Sequence, residues 1–88
     1  MRQIRSTIVF DRDLKRLIKR GKNIKKVHAV VGMLVNNVSL PTKYRPHKLT
    51  GNHYLKWECH IEPDWLLIYE IKEDVVILYR TGTHSDLF

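Results

Sequence analysis

The first half of the chain has the pattern of a short strand followed by two helices. Residues 2–6 resemble a short strand, and helical spacing of apolar residues then runs from Thr7, which with Ser6 can cap the start, to Gly21. Asn23 can cap a second helix, whose many β-branched residues make it dependent on packing. The predicted apolar faces are Phe10, Leu14, Leu17 and Ile18 in the first helix, and Ile24, Val27, Val31, Leu34 and Val35 in the second.

The second half has the pattern of a loop followed by three strands. Prolines, a glycine and asparagines predict an extended loop over residues 36–53, and loops of that length in small domains often have a function. Strands are predicted at 54–61, 65–72 and 75–81, with a hairpin turn at 72–74. The last two strands are apolar on both faces and should be central. The expected fold is α+β, with a small antiparallel sheet in the order β-α-α-β-β-β and two N-terminal helices packed on one face.

Alternation within the segment 54–61 separates its side chains into two faces. Cys59 is expected to point into the core, so its neighbour His60 should point the opposite way, together with Lys56 and Glu58. Because Cys59 is the single cysteine, no intramolecular disulfide can form, which fits a reducing cytoplasm.

No segment of the sequence predicts export or membrane insertion. Residues 1–5 lack the apolar run of a secretion signal. The longest uncharged apolar stretch, Ala29 to Val35, is far shorter than the ~20 residues that span a bilayer. A single domain over residues 1–88, located in the cytoplasm and without a membrane partner, is therefore expected.

Charge is distributed unevenly along the chain. The net charge is +7, yet residues 1–48 carry 13 Lys and Arg against two Asp, and residues 49–88 carry three against seven Asp and Glu. A strongly basic half attracts polyanions by releasing their counterions. Nucleic acid is the favoured partner. A solubilising surface or a docking surface for an acidic protein are the alternatives, and the lysines lack the aromatic stripe of a membrane-surface helix.

Three of the four histidines in the last 42 residues lie among carboxylates and one arginine. They are His47 in the predicted loop, His60 before the Glu62-Pro63-Asp64 turn, and His84 four residues after Arg80. If strand ends bring them to one edge of the sheet, imidazoles suited to proton transfer would meet a guanidinium suited to phosphate. This combination predicts acid–base chemistry on a phosphodiester.

Each of these residues has a candidate role and a structural alternative. His84 is expected to be the general acid, and His60 the base or a phosphate-orienting group. Asp64 either takes the 2′-hydroxyl proton, orients His60, or simply stabilises its turn. His47 either contacts the phosphate, shares the base role, or packs in the loop. Arg80 is expected to bind phosphate in preference to a structural salt bridge.

Other residues are weaker candidates. Trp65 and Phe88 can stack on bases. The alternatives are core packing for Trp65, which is the stronger interpretation there, and anchoring of the terminus for Phe88. His28 and His53 receive no role. A zinc site is disfavoured because Cys59 and His60 point oppositely and no metal-ligand spacing exists, so no metal or cofactor is expected.

Over essentially its whole length the chain resembles the RelE-like toxins of bacterial toxin–antitoxin pairs, most closely the YafQ type. The resemblance is most specific in the segments 44–51, 60–69 and 80–88. The shared features are Tyr-Arg-Pro-His-Lys-Leu-Thr-Gly, the His-x-x-Pro-Asp turn followed by Trp, and Arg-x-Gly-x-His followed by Leu-Phe. The resemblance implies a microbial-ribonuclease-like sheet and endonucleolytic cleavage of messenger RNA, usually at the ribosome. It also implies neutralisation by a RelB/DinJ-like antitoxin, with operator DNA bound only as the toxin–antitoxin complex.

The resemblance also assigns site residues. Five positions match the active-site cluster of these toxins, and two line it. One departure is Trp57, since the family commonly has arginine before the acidic residue; the role of Glu58, and whether Lys56 replaces the missing charge, therefore stay open. The alternative function is a non-catalytic module that binds nucleic acid or an acidic partner. The matching cluster is His47, His60, Asp64, Arg80 and His84, and the lining residues are Trp65 and Phe88.

Overall fold

The helices begin where the sequence offers side-chain caps. The Thr7 hydroxyl accepts a hydrogen bond from the amide of Phe10 at 2.9 Å, and the Asn23 side chain accepts one from Lys25 at 3.0 Å. Both predicted caps are confirmed, and Gly21, at φ +87°, lies in the turn after the first helix. Ile18, however, is largely exposed and does not belong to the buried face.

The computed structural model describes residues 1–51 and 55–88. It confirms the α+β fold, and none of the helices in these two ranges has the length and apolar character needed to cross a membrane. The elements are β1 (Gln3–Ser6), α1 (Ile8–Lys19), α2 (Ile24–Val35), a 3-10 turn (Thr42–Tyr44), β2 (His47–Lys48), β3 (Trp57–Glu62), β4 (Trp65–Lys72), β5 (Val75–Gly82) and α3 (His84–Leu87).

The sheet is mixed, whereas an antiparallel sheet was predicted. Its order is β1-β5-β4-β3-β2, with β4 at the centre. β1 runs parallel to β5, and the other three pairs are antiparallel. A parallel pair needs a long connection, and here the chain between β1 and β5 includes both helices and strands β2 to β4.

The prediction of an extended loop over residues 36–53 is wrong in part, because this segment contains the 3-10 turn and β2. Arg45 adopts the left-handed conformation, with φ 48°, directly after the 3-10 turn. The chain then runs beside β3, where β2 pairs His47 with Glu58. Residues 52–54, which include His53 and the predicted strand start, lie outside the described residues, and β3 begins at Trp57.

Helices α1 and α2 pack on one face of the sheet. The opposite face, called the open face because its residues are not part of the hydrophobic core, combines buried side chains such as Leu66 with partly exposed ones such as His60. Cys59 is confirmed in the core, where burial raises the pKa of its thiol to about 12. Cys59 is paired across the sheet with Leu67 and Thr81, which face the core with it. The next cross-strand row, His60, Leu66 and Gly82, therefore belongs to the opposite face. The core consists of Phe10, Leu17, Val27, Val30, Val31, Leu34, Val35, Cys59, Ile61, Trp65, Leu67, Tyr69, Val76 and Leu78.

At a bulge in β5, the neighbour along the outer edge of this strand changes from β1 to α1. The register between β4 and β5 shifts so that Tyr79 is an extra residue, and β1 pairs only with the preceding part of β5. Beyond the bulge, Asp13 of α1 accepts hydrogen bonds from the Thr81 amide at 3.2 Å and the Arg80 Nε at 2.8 Å. Asp13 is only 1% exposed, so this carboxylate takes the place of a neighbouring strand.

We expect Asp13→Ala to lower the free energy of unfolding by about 2–4 kcal/mol, because it leaves a buried amide and a guanidinium without their acceptor. Denaturant unfolding followed by circular dichroism measures the change. The matched control is Asp11→Ala on an exposed turn of the same helix, for which we expect at most about 1 kcal/mol. Equal losses in the two variants would contradict the structural role of Asp13.

Candidate active site

Three imidazoles form a row along one edge of the open sheet face. His47 comes from β2, His60 from β3, and His84 from the start of α3. The ring centroids of His47 and His60 are 6.3 Å apart, and those of His60 and His84 are 6.0 Å apart. The structure therefore brings together side chains that are separated by up to 37 positions in the sequence.

Strand register explains why the three rings meet. β2 pairs His47 with Glu58, two residues before His60 on the same face of β3. The row through His60 continues across Leu66 to Gly82, which ends β5 two residues before His84. The end of β5 thus delivers His84 to the same edge.

His84 and Asp64 form a hydrogen-bonded pair. The Asp64 carboxylate accepts from the His84 Nδ1 at 2.7 Å and from the His84 backbone amide at 3.0 Å. These two bonds, the backbone one first, lower the pKa of Asp64, so it stays ionised at neutral pH. Asp64 therefore contacts His84 and not His60, the partner that the sequence suggested, and it leaves the His84 Nε2 available.

His60 is held through its Nδ1 by the backbone carbonyl of Pro63 at 3.2 Å. A carbonyl can only accept, so this bond assigns the proton to Nδ1. The Nε2 of a neutral His60 is then a proton acceptor, which suits a general base.

His47 has acceptors at both ring nitrogens. Its Nδ1 donates to the Arg45 carbonyl at 2.9 Å, and its Nε2 lies 3.3 Å from the carboxylate of Glu58, a nearly buried residue. Both ring nitrogens of His47 are thus in polar contacts, and the Glu58 contact places this imidazole next to His60.

Arg80 is bound to Asp13, so the structural salt bridge is present. Its Nε and Nη2 donate to the two carboxylate oxygens at 2.8 and 3.1 Å, which holds the guanidinium in one orientation and raises its pKa. The side chain is still 35% exposed, and Nη1 has no hydrogen-bond partner among residues 1–51 and 55–88. The pairing with Asp13 fixes the arginine and leaves one nitrogen for an anion.

The predicted lining residues differ in their exposure. Trp65 is 1% exposed and donates its indole N–H to Thr81 at 2.9 Å, so core packing, the stronger of its two interpretations, is confirmed and a role in lining the site is wrong. Phe88 is 69% exposed, and its contact with a base stays a prediction. The Lys56 ammonium lies 4.1 Å from the ring centroid of Tyr79, a residue that sequence reasoning did not single out although alternation with the buried Leu78 places it on this face.

Sequence reasoning also missed the residues that hold α3. Thr83 and Asp86 cap each other's backbone amides, and Asp86 accepts two bonds from Arg20 at 2.7 and 3.1 Å. The Arg20 contact holds the pKa of Asp86 well below its usual range. A Cβ at Gly82 would lie 2.9 Å from the Asp86 Cβ, so this contact requires glycine. The Thr-x-x-Asp spacing was a detectable capping signal, and the cap fixes the start of α3, whose first residue is His84.

The part of the chain that the structure describes contains no cluster of side chains suited to binding a metal ion. Within those ranges, no group of three or more His, Cys, Asp or Glu side chains is arranged to hold an ion.

Solved structures with this fold define the class as small bacterial toxins. The metal-bound toxin from Helicobacter pylori is 43% identical with a TM-score of 0.94, each chain being covered completely. YafQ in the Escherichia coli DinJ–YafQ complex is 36% identical with a TM-score of 0.93, over 100% of this chain and 99% of that one.

The family model described as the bacterial YafQ toxin of type II toxin–antitoxin systems matches residues 2–88, so the chain belongs to that family. The mRNA interferase toxin YafQ of Escherichia coli K12 is 38% identical over 80 residues, which cover 90% of this chain and 87% of that protein. The resemblance inferred from the sequence is thereby confirmed.

The pair of bonds on Asp64 predicts a stepwise titration. We expect the pKa of Asp64, measured by carbon NMR of its carboxyl group, to lie below the ordinary value in the wild type. In His84→Ala it should rise only part of the way, because the backbone amide of residue 84 remains. Since folding lowers this pKa, the associated stability is present above the ordinary pKa and is lost as pH falls through the folded value.

Proline at position 84 removes the backbone donor as well, and we expect it to raise the pKa further than alanine does. An ordinary pKa for Asp64 in the wild type would contradict the contact.

Proposed function

We propose that this chain is the toxin of a type II toxin–antitoxin system and a metal-independent endoribonuclease that cleaves mRNA, acting on the ribosome. Membership of the YafQ family supports the toxin assignment, and the relative from Escherichia coli is named an mRNA interferase. The observation that carries the proposal is the 6.0 Å spacing of the His60 and His84 rings, each with its Nδ1 occupied. Two such imidazoles can serve one phosphodiester.

The roles follow from the hydrogen bonds. His60 takes the proton of the 2′-hydroxyl, and the 2′-oxygen attacks phosphorus. The bond from phosphorus to the 5′-oxygen breaks, and His84, held by Asp64, protonates that oxygen. Arg80 and His47 stabilise the charge on the phosphorane oxygens. The products are a 2′,3′-cyclic phosphate and a 5′-hydroxyl.

The remaining groups assist. Phe88 can stack on a base, whereas Lys56 adds charge at the open face beside Tyr79. Glu58 orients His47 through their 3.3 Å contact. No metal or cofactor takes part in this scheme.

The expected partners are mRNA, the ribosome and an acidic antitoxin of the RelB/DinJ kind, with residues 1–88 acting as one domain in the cytoplasm. A complex of the relative YafQ with DinJ supports the antitoxin. Operator DNA would be bound only by the toxin–antitoxin complex.

We expect His84→Ala to reduce mRNA cleavage by about 10²–10⁴-fold, because it removes the acid for the leaving oxygen. Mapping of 5′ ends on translated mRNA, in cells and on purified programmed ribosomes, measures this. Wild-type cleavage should persist when a chelator selective for transition metals is added at constant magnesium concentration. It should stop when the scissile 2′-hydroxyl is replaced by 2′-O-methyl.

The matched control is His28→Ala, which removes an exposed histidine of α2 outside the imidazole row. It should cleave like the wild type. Full activity in His84→Ala would remove the acid assignment, and toxicity without any cleavage in the wild type would favour the non-catalytic binding module.

A second prediction concerns pH. One unprotonated and one protonated imidazole should give a bell-shaped rate profile under single-turnover conditions. In His60→Ala the acidic limb should disappear, because that limb reports protonation of the base. A flat profile in the wild type from pH 5 to 9 would count against paired histidine catalysis.

A further inference from the structure

A groove of about 480 Å³ is lined in part by His60, whereas His84 is not among its lining residues. Its walls are the N-terminal part of α2 and the 3-10 turn, and the end of β3 with Pro63, residues 60–63, lines the rest. We call it the basic groove and define it by Lys25, Lys26, Lys43, Tyr44, Arg45 and His60.

The positive charge of the basic groove is largely uncompensated. Its single carboxylate, Glu62, accepts from Lys22 at 2.8 Å and Lys26 at 2.7 Å, which lowers the pKa of Glu62 and neutralises Lys26. Lys25, Lys43 and Arg45 have no ion-pair partner in ranges 1–51 and 55–88. Three exposed cations therefore face the groove.

The groove also contains an aromatic surface and a direct link to the active site. The Tyr44 ring is partly exposed, and the Lys43 ammonium lies 5.0 Å from its centroid. The Arg45 carbonyl accepts the hydrogen bond of His47 Nδ1 at 2.9 Å. Cations that follow a backbone, interleaved with an aromatic ring, are the pattern by which proteins hold single-stranded nucleic acid.

We infer that the basic groove binds the single-stranded RNA on the 5′ side of the cleaved bond. The inference rests on the proposed function: His60 serves the 2′-hydroxyl of the upstream nucleotide, and His84 serves the oxygen that belongs to the downstream one. Because His60 lines the groove and His84 does not, the strand that enters the groove is the upstream strand. Lys25, Lys43 and Arg45 contact its phosphates, and Tyr44 stacks on a base.

The test uses fluorescence anisotropy with two RNA oligonucleotides, each carrying 2′-O-methyl at the mapped cleavage position. One probe extends four nucleotides upstream of that position and the other extends four nucleotides downstream. The groove variant combines Lys25→Gln, Lys43→Gln and Arg45→Gln. The control variant combines Arg12→Gln, Lys15→Gln and Lys19→Gln, which removes equal charge from exposed positions of α1.

We expect the groove variant to weaken binding of the upstream probe by about 10–100-fold and to reduce the slope of log affinity against log salt by about 2, the value for three lost phosphate contacts. Binding of the downstream probe should change no more than it does in the control variant. Thermal unfolding of both variants should match the wild type.

Three outcomes would overturn the inference. The control variant could weaken the upstream probe as much as the groove variant does, which would mean general electrostatic attraction. The loss could fall on the downstream probe. The RNA affinities could stay unchanged while the groove variant fails to form a complex with the coexpressed antitoxin, which would assign the groove to an acidic protein segment.

These outcomes are distinguishable from failure of the nuclease proposal. If the wild type cleaves no RNA, the slope of log affinity against log salt, compared between the wild type and the groove variant with any single-stranded probe, still tests whether the groove binds phosphates. If His84→Ala abolishes cleavage and keeps the wild-type affinity, the chemistry stands independently of the groove.

Discussion

The structure depends on one buried carboxylate, Asp13. It closes the bulged edge of β5 by accepting from the Thr81 amide, and it holds the Arg80 guanidinium by two further bonds. A charged group this deeply buried is tolerable only when its hydrogen bonds are satisfied, and here all come from β5. The three bonds of Asp13 therefore fix the end of β5 and the orientation of the arginine relative to α1.

The imidazole row shows how a small protein can position catalytic groups with few residues. Each ring is fixed at Nδ1 by a group on a turn: the Arg45 carbonyl, the Pro63 carbonyl and the Asp64 carboxylate. Turns that reverse the chain present such acceptors at the strand ends, where the histidines lie. Orientation of the rings thus comes from the same backbone features that end the strands.

Acidic residues of the second half form ion pairs with basic residues of the first half. The charge imbalance along the sequence is therefore partly neutralised in the folded protein. Although residues 49–88 are acidic in net charge, Glu62 holds two lysines of the helical half and Asp86 holds Arg20. The acids join the second half of the chain to the first. The cations that remain without such partners near His60 then define a basic surface beside the site.

The sequence by itself determined the caps, both long helices, the central strands and the buried Cys59, because helix and strand periodicities are local properties. It also identified the residues of the imidazole row through their motifs. Only the tertiary structure decided the pairing of β1 with β5, the two-residue β2, and the partners of Asp64 and Arg80. Those depend on contacts between residues far apart in the chain, such as Asp13 with Arg80, and on a bulge whose position no local pattern marks.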